Sequence, residues 1–245
     1  MKGYLVRIGI DKTYGRWNAP VDPDNGKFVY VPIPEKHLFI DGLETRYFDF
    51  IPDLEKFAID HNLDLYNDLK FPRGLIDANA HLDPDFRFLT YGDAGKGRGS
   101  GISKLDEGDF IAFYSGLQPI KITPDNLFYA LTGLFVIHNI LWTSEIPKNK
   151  FHENAHTRKV VISDSDIIVR AKPIVSGRLG KCIPIGERRN RAYRVRRDLL
   201  REWGGLSVRD GYIQRSRVPP HFLNPEKFLS WFKKQKPVFI EANNP

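Results

Sequence analysis

The stretch Gly108-Asp-Phe-Ile-Ala-Phe-Tyr-Ser-Gly-Leu117 opens on a Gly-Asp turn, and a proline-containing connection joins it to Phe128-Tyr-Ala-Leu-Thr-Gly-Leu-Phe-Val-Ile-His138. Aromatic and β-branched residues of this density are typical of β-strands. The pattern therefore predicts strands over Asp109–Tyr114 and Phe128–Trp142. Large apolar side chains in both segments would be buried in almost any β fold. They are Phe110, Phe113, Phe135 and Val136.

Segments on either side of this pair complete the predicted fold. Further strands are predicted over Tyr4–Ile10, Lys27–Ile33, Lys159–Ile162 and Asp166–Ala171. Helices are predicted over Pro52–Asn62 and Asp64–Lys70, and a last helix begins after Asn224, with Pro225 at its first position and Phe228, Leu229 and Phe232 on its buried face. This order predicts an α+β fold, with a mixed, mainly antiparallel sheet or partly closed barrel and inserted helices.

Length and composition limit the class of protein. With 245 residues, of which 41% are hydrophobic, the chain can form a single globular domain over residues 1–245. We see neither a membrane-spanning stretch nor a signal peptide in the sequence, so we expect no membrane partner and a cytoplasmic location. The single cysteine, Cys182, excludes an intramolecular disulfide and a cysteine-rich metal cluster, and its neighbours indicate a strand residue.

Positive charge is concentrated in the last third of the chain. Residues Phe151 to Arg217 contain sixteen Lys and Arg against seven Asp and Glu, a net of +9 within a whole-chain charge of +7. Arginine binds phosphate through a planar fork and stacks on bases. A polyanion, with nucleic acid the commonest, is therefore the expected partner, and Arg188, Arg189 and Arg191 are the candidate phosphate contacts. The alternative is a basic face that is only solvated.

The segment from His81 to Gly101 is the first that could carry chemistry. It places three carboxylates, Asp83, Asp85 and Asp93, beside a loop with five glycines in ten residues. The carboxylates could supply a general base or bind a divalent cation such as magnesium, although the cofactor is left open and Asp-Pro-Asp is also an ordinary turn sequence. Backbone amides of the loop, with Lys96 and Arg98, could hold a phosphate, and a flexible lid is the alternative.

The two strands quoted first form the second segment. Their Gly-Asp turn, aromatic strand and Gly-Leu-Phe-Val core resemble the PUA-like barrels, including the EVE and ASCH relatives. That resemblance implies recognition of a modified or flipped base in a pocket between strands. Tyr114, at the end of its strand, and Trp17, in a long polar loop, are the candidate stacking residues.

The third segment, Phe151-His-Glu-Asn-Ala-His-Thr-Arg-Lys159, contains the His-Glu-x-x-His spacing of zinc peptidases. On a helix, His152 and His156 would share a metal ion and Glu153 would activate water. The motif is polar and short for that helix, so we do not assign a metal site. We instead predict that Asn154, His156 and Arg158 face an anionic or heterocyclic ligand, with Arg178 and Lys181 near the same surface.

Several short motifs together resemble the nucleotide modification associated domain 3 family. They are Arg7 with Tyr14-Gly15, Val31-Pro-Ile-Pro34, His81-Leu-Asp-Pro-Asp85, Gly108-Asp109, Asn154-Ala-His156-Thr-Arg158, Ser176-Gly-Arg-Leu179 and Ile183-Pro-Ile185. The resemblance covers residues from about 1 to 190. It implies a role near DNA or nucleotide base modification, and it carries no catalytic residues over to this chain.

Two hypotheses for function follow. In the first, the protein binds or modifies a nucleobase or nucleotide, with Asp83, Asp85 and Asp93 as acid–base or metal-binding groups and His156 as proton shuttle. In the second, a non-catalytic reader stacks a base on Tyr114 or Trp17. A zinc-dependent hydrolase is a remote third. We also expect one concave surface beneath the loop over Gly92–Gly101, lined by Tyr114, Asn154, His156, Arg158 and Arg178.

Overall fold

A computed structural model describes residues 1–215 and 218–245 of the chain, except for the side chain of Arg98. Its largest feature is a mixed, mostly antiparallel sheet of eight strands, accompanied by a few helices. This confirms the predicted α+β fold. Within the described residues the sheet does not close into a barrel.

The secondary-structure elements have the following bounds. The strands are β1 (Gly3–Arg7), β2 (Pro20–Val21), β3 (Ile33–Pro34), β4 (Ala80–His81), β5 (Thr90–Ala94), β6 (Phe110–Pro119), β7 (Phe128–Trp142), β8 (Asp166–Ala171), β9 (Gly177–Pro184), β10 (Gly186–Arg189), β11 (Ala192–Val195) and β12 (Phe239–Ile240). The α-helices are α1 (Ile51–Asp60), α2 (Arg197–Glu202) and α3 (Pro225–Lys234). Short 3-10 helices span Tyr47–Phe50, Arg73–Leu75, Gly97–Lys104, Thr143–Glu145, Lys148–Glu153 and Arg209–Gly211.

Strand β7 occupies the middle of the sheet and is shared by three partners. It pairs antiparallel with β6 along one edge. Along its other edge it pairs first with β9 and then with β8. Beyond these, β1 runs parallel to β6, and β5 pairs antiparallel with β8. The sheet order β1-β6-β7-β8-β5 therefore places β1 and β5, which carry much of the site described below, at its two ends.

Both faces of the central strands are buried, as the continuous apolar run of β6 predicts. Ile111 and Phe113 face one core, which also contains Leu54 and Phe57 of α1. Phe110 and Tyr114 face the other core, together with the aromatic side chains of the C-terminal region. The main members of that aromatic group are Trp203, Phe222, Phe228, Trp231 and Phe232.

The predicted bounds of β7 and β8 are confirmed, and so is the capped C-terminal helix. The Asn224 side-chain oxygen accepts from the amide of Lys227 at 3.1 Å, and Pro225 begins α3. Phe228 and Phe232 are fully buried as predicted, whereas Leu229 is only partly buried. Trp231 is the third buried side chain of this helix.

Three predicted elements are wrong. Residues 27–32 form no regular strand, because their backbone bonds go to single separate partners and Pro32 has no amide hydrogen to continue a ladder. Residues 159–162 make one isolated bridge, through Lys159, and expose Val160 and Val161. The segment from Asp64 to Lys70 is a run of turns, because the Asp64 carboxylate accepts from the amides of Tyr66 and Asn67.

Among the helices of the described residues, none combines the length and apolar character needed to cross a lipid bilayer. The longest α-helices, α1 and α3, have ten residues each.

Cys182 provides a test of the core. It lies in β9, is 5% exposed, and burial raises the pKa of its thiol to about 12. The reactive thiolate is therefore scarce at pH 8, since an ordinary thiol has a pKa of about 8.5. We expect Ellman's reagent to label the native protein at least about 100-fold more slowly than the urea-unfolded protein. Rapid stoichiometric labelling of the native protein would contradict this packing.

Candidate functional site

A cavity of about 480 Å³ opens where the end of β1 meets β4 and β5. Its lining combines parts of the chain that are far apart in the sequence. The polar side chains among its lining residues are Arg7, Asp11, Thr13, Tyr14, His81, Asp83, Tyr91, Asp93, His156 and Arg215. A volume of this size suits a small organic ligand, for which pockets of about 300–1,000 Å³ are usual.

Asp83 is held by one carboxylate oxygen and presents the other to its neighbours. Its Oδ1 accepts from the amide of Gly92 in β5 at 2.7 Å and from the Asn154 side-chain nitrogen at 2.9 Å. Its Oδ2 lies 4.0 Å from His81 Nε2 and 3.9 Å from His156 Nε2. Asn154 is buried, so it fixes Asp83 and does not itself line the cavity.

His81 is oriented by a buried carboxylate. Its Nδ1 lies 2.7 Å from Glu35 Oε2, which is also 3.3 Å from Lys159 Nζ. Burial alone would raise the pKa of Glu35, but the hydrogen bonds from His81 and the backbone, with the charge of Lys159, hold that pKa well below its ordinary value. Glu35 is therefore an anion that accepts the Nδ1 hydrogen of His81.

His156 is oriented in the same way from another strand. Its Nδ1 lies 2.5 Å from Asp166 Oδ2, at the start of β8. Burial would raise the pKa of Asp166, but the bond from His156 outweighs it and lowers that pKa. The ring also lies against Gly92, where an added Cβ would come within 2.2 Å of His156 Cδ2. Glycine at this position is needed for the close approach.

One group of three side chains in the described structure has the arrangement of a metal site. His81, Asp83 and His156 each offer a ligand atom, and the three atoms lie within 4.8 Å of one another. The two imidazole rings are 5.0 Å apart between centroids. These are nitrogen and oxygen donors of the kinds that bind divalent transition metals.

Tyr91 and Asp93 of β5 form a pair beside this group. The Tyr91 hydroxyl donates to Asp93 Oδ2 at 2.8 Å. Burial raises the pKa of Asp93 above its ordinary value, and the nearby Asp83 charge adds to this. Burial and the same two carboxylates raise the pKa of Tyr91 well above its ordinary range. The pair adds a carboxyl group and a phenol to the cavity wall beside the three-residue group.

Two arginines contribute positive charge to the cavity. Arg7 Nη2 lies 2.8 Å from Asp11 Oδ2, and its Nη1 donates to the carbonyl of Gln214. Arg215 lines the cavity with an exposed side chain. Because Arg7 is already paired with a carboxylate, Arg215 is the better placed of the two to bind an anionic ligand.

Asp85 and Arg158 were predicted at the site, but they form a buried ion pair behind it. Arg158 Nη2 lies 2.7 Å from Asp85 Oδ2, and the same guanidinium donates to Thr45 Oγ1 and the carbonyl of His152. Asp85 is 1% exposed and Arg158 6%. Asp85 was predicted as a catalytic carboxylate and Arg158 as part of the concave surface. Both predictions are corrected, since both side chains are fully partnered in the interior.

Tyr114, Trp17 and Arg178 are also absent from the cavity lining. Tyr114 is fully buried, and its hydroxyl donates to the carbonyl of Ile213. The Trp17 indole is 7% exposed and donates to the carbonyl of Leu69. Arg178 is 1% exposed, donates to the carbonyl of Phe28 and borders a separate cavity. Of the five residues expected on one concave surface, only His156 lines it.

The zinc-peptidase spacing does not form its helix. The 3-10 helix over Lys148–Glu153 ends before His156, so the two histidines of the motif are not one α-helical turn apart. Glu153 is paired with Arg170. His152 packs edge-on against Phe88 and has no place in the metal-like group.

The glycine-rich segment is divided between two elements. Gly92, Asp93 and Ala94 line the cavity as part of β5, whereas Gly97–Lys104 is a 3-10 helix. This corrects the expectation of a loop over the mouth. Lys96 and Lys181 are exposed and do not line the cavity, and the side chain of Arg98 lies outside the described structure.

The arginine-rich run forms the β10–β11 hairpin followed by α2. Arg189 pairs with Glu187 and Asp210, Arg194 lies near Asp210, and Arg196 pairs with Asp198. Arg188 and Arg191 are exposed, and among the described residues their guanidinium groups form no ion pair. The end of the basic region, residues 216 and 217, lies outside the described residues.

Sequence reasoning missed three contributors to the site, namely Glu35, Asp166 and Arg215. Glu35 directly follows the Val31-Pro-Ile-Pro34 motif, and Asp166 is the first residue of a predicted strand, so each had a local signal but no visible partner. The role of Glu35 depends on a contact with His81 across 46 positions of the chain, and that of Asp166 on a contact with His156 across 10 positions.

Comparison with known proteins gives one match. The family model described as nucleotide modification associated domain 3 matches residues 2–216 of the 245-residue chain. The search of curated proteins and the search of solved structures gave no significant match.

The Arg158–Asp85 pair gives a prediction about stability. Replacing Arg158 with Ala leaves a buried carboxylate without its partner, which typically costs about 3–5 kcal/mol. We expect Arg158→Ala to lower the free energy of unfolding, measured by urea denaturation, by about that amount. The control Lys181→Ala removes an exposed cation and should change it by less than about 0.5 kcal/mol. Equal stability of the two variants would contradict a structural role for Arg158.

Proposed function

The chain belongs to the nucleotide modification associated domain 3 family, and we propose from this premise that its cavity binds a nucleobase or nucleotide and modifies it. The family places the protein in a nucleotide modification system. The observation that carries the proposal is that four polar side chains line one cavity. Asp83, Asp93 and His156 are predicted site residues, and His81 lies beside them.

The cavity offers groups suited to both parts of a nucleotide, its base and its phosphate. Imidazole and carboxylate groups gather at one part of the lining, where hydrogen-bonding or proton transfer to a heterocycle requires them. Arg215 supplies a cation for a phosphate group. The cavity volume of about 480 Å³ lies in the range for a ligand of this size.

Enzymatic modification is favoured over passive reading. A non-catalytic reader needs exposed aromatic faces on which a base can stack. The two candidates predicted for that role, Tyr114 and Trp17, are 0% and 7% exposed, and Tyr14, at 55%, is an exposed aromatic side chain of the cavity lining. Titratable side chains make up more of that lining, and two of them, Tyr91 and Asp93, have raised pKa values. Clusters of perturbed groups in a cavity are typical of catalytic sites.

The basic hairpin supports an extended nucleic acid as substrate. Ile213 donates its amide to the carbonyl of Tyr193 in β11, and the next residue, Gln214, accepts from Arg7. Arg215 then lines the cavity. A polynucleotide could therefore contact the exposed arginines of the hairpin while one of its nucleotides occupies the cavity.

A nucleotide titration tests the cavity. We expect nucleoside monophosphates to bind the wild-type protein in isothermal titration calorimetry. Arg215→Ala should weaken that binding by about 10–100-fold, since a charged hydrogen bond contributes about 1.5–3 kcal/mol. The same variant should leave nucleoside binding nearly unchanged, and the control Arg201→Ala, an exposed arginine of α2, should alter neither. Equal weakening for nucleotides and nucleosides would refute a phosphate contact, and no binding of either to wild type would refute the proposed ligand.

The salt dependence of nucleic-acid binding tests the hairpin. Each lost phosphate contact should lower the slope of log affinity against log salt by about 0.7–0.9. We expect Arg188→Ala/Arg191→Ala to lower the slope by about 1.4–1.8 in fluorescence anisotropy with a labelled oligonucleotide. The control Arg189→Ala/Arg196→Ala removes the same charge from arginines already paired with carboxylates, so its slope should change less. Identical slopes for all three proteins would mean that the hairpin is only a solvated face.

A further inference from the structure

We propose that His81, Asp83 and His156 bind one divalent first-row transition-metal ion in the wall of the cavity. The inference rests on the proposed function for its purpose, since it names a cofactor for that same cavity. Metal binding is nevertheless measured without any nucleotide, so the metal site and the proposed function can be refuted separately.

The two histidines present free ring nitrogens to the same place. Each Nδ1 is bonded to a carboxylate, Glu35 for His81 and Asp166 for His156. A carboxylate accepts, so each Nδ1 carries the hydrogen and the Nε2 of a neutral ring keeps its lone pair. Among the described residues neither Nε2 has a hydrogen-bond partner, since Asp83 Oδ2 lies 4.0 and 3.9 Å away, beyond hydrogen-bond range.

The separations fit an ion better than direct contact among the side chains. Ligand atoms around a tetrahedral ion with bonds of about 2.0–2.2 Å lie about 3.3–3.6 Å apart. The separations of 3.9 and 4.0 Å between Asp83 Oδ2 and the two Nε2 atoms would each have to close by about 0.5 Å. Small rotations of the side chains can supply this, because within residues 1–215 and 218–245 the hydrogen bonds of these side chains use the other ring nitrogens and the other carboxylate oxygen.

Each of the three groups is also held from behind, as metal ligands usually are. Glu35 and Asp166 fix the tautomers of the histidines. The amide of Gly92 and the Asn154 side chain bind the far oxygen of Asp83. Buried carboxylate–histidine pairs that converge on one point are difficult to explain as packing alone, because each desolvates an anion to orient a ring whose Nε2 then has no hydrogen-bond partner among the described residues.

The donor set indicates the class of ion. Two imidazole nitrogens favour zinc, iron, nickel or copper(II) over magnesium and calcium, which prefer oxygen alone. The site has no thiolate or thioether, which would select copper(I). Three protein ligands also leave positions open toward the cavity, as in catalytic sites. This differs from the magnesium expected for the aspartates alone.

Calorimetry on the full chain, freed of metal by chelator, tests the proposal with Zn²⁺ and Mg²⁺ as separate titrants and no nucleotide present. We expect one equivalent of Zn²⁺ to bind and Mg²⁺ to bind at least about 100-fold more weakly. Asp83→Asn and His81→Gln should each abolish the stoichiometric Zn²⁺ binding. Glu35→Gln, which leaves all three ligands in place, should weaken it by about 10–100-fold.

His61→Gln is the matched control, because His61 also pairs with a carboxylate, Asp22, but lies outside the cavity. It should bind Zn²⁺ as the wild type does. Circular dichroism establishes that each variant is folded, and Glu35→Gln still tests the site if a ligand variant unfolds. The proposal is overturned if wild type binds no Zn²⁺, if Mg²⁺ binds equally well, or if the cavity variants bind Zn²⁺ like His61→Gln. If wild type binds no Zn²⁺ but still binds nucleotides in the presence of chelator, the metal site is refuted and the proposed nucleotide binding is not.

Discussion

Strand β7 imposes the constraint on which the rest of the structure depends. Most of the first ten of its fifteen residues are buried, and their backbone needs hydrogen-bond partners along both edges, because an unpaired amide or carbonyl group in the interior costs free energy. β6 supplies one edge, and β9 and β8 supply successive parts of the other. Through β6 this positions β1 and Arg7, and through β8 it positions β5 and Asp93. Two sides of the cavity therefore depend on the pairing of this one strand, whereas His81, Asp83 and His156 come from parts of the chain outside the large sheet.

The buried charged side chains fall into two groups, one that stabilises the fold and one that orients the histidines of the cavity. Asp85 and Arg158 satisfy each other fully, with Thr45 and the His152 carbonyl completing the bonds, and nothing is left for a ligand. Glu35 and Asp166 instead satisfy one nitrogen of a histidine and leave the other free. The two groups differ in whether polar atoms are left without a protein partner. Such atoms, where they converge in a cavity, can bind a ligand.

Local pattern was sufficient for part of this structure and insufficient for the rest. The bounds of β7 and β8 and the cap at Asn224 follow from nearest neighbours in the chain, and the structure confirms them. In the site, residue type selected Asp83, Asp93 and His156 but could not separate Asp83 from Asp85, two residues away. The alternation of polar and apolar residues could not distinguish the two carboxylates, because each is surrounded by residues about 70 positions further on. Asn154 bonds Asp83, and Arg158 pairs with Asp85. Arginines gave the same difficulty, since Arg178 and Arg188 look alike in sequence, yet one is buried and the other exposed.

The pairing of β5 with β8 has a consequence for how the site comes into being during folding. Gly92 lies opposite Ile168 in this register, and the strands are joined by a chain of more than seventy residues. Closing so long a loop has an entropic cost, so we expect this contact to form in the late, non-local part of assembly. A slip of one residue would turn Asp93 to the opposite face of the strand and move Gly92 away from His156. The chemistry of the cavity is thus a property of completed strand alignment, and a partly folded intermediate would have the residues without the site.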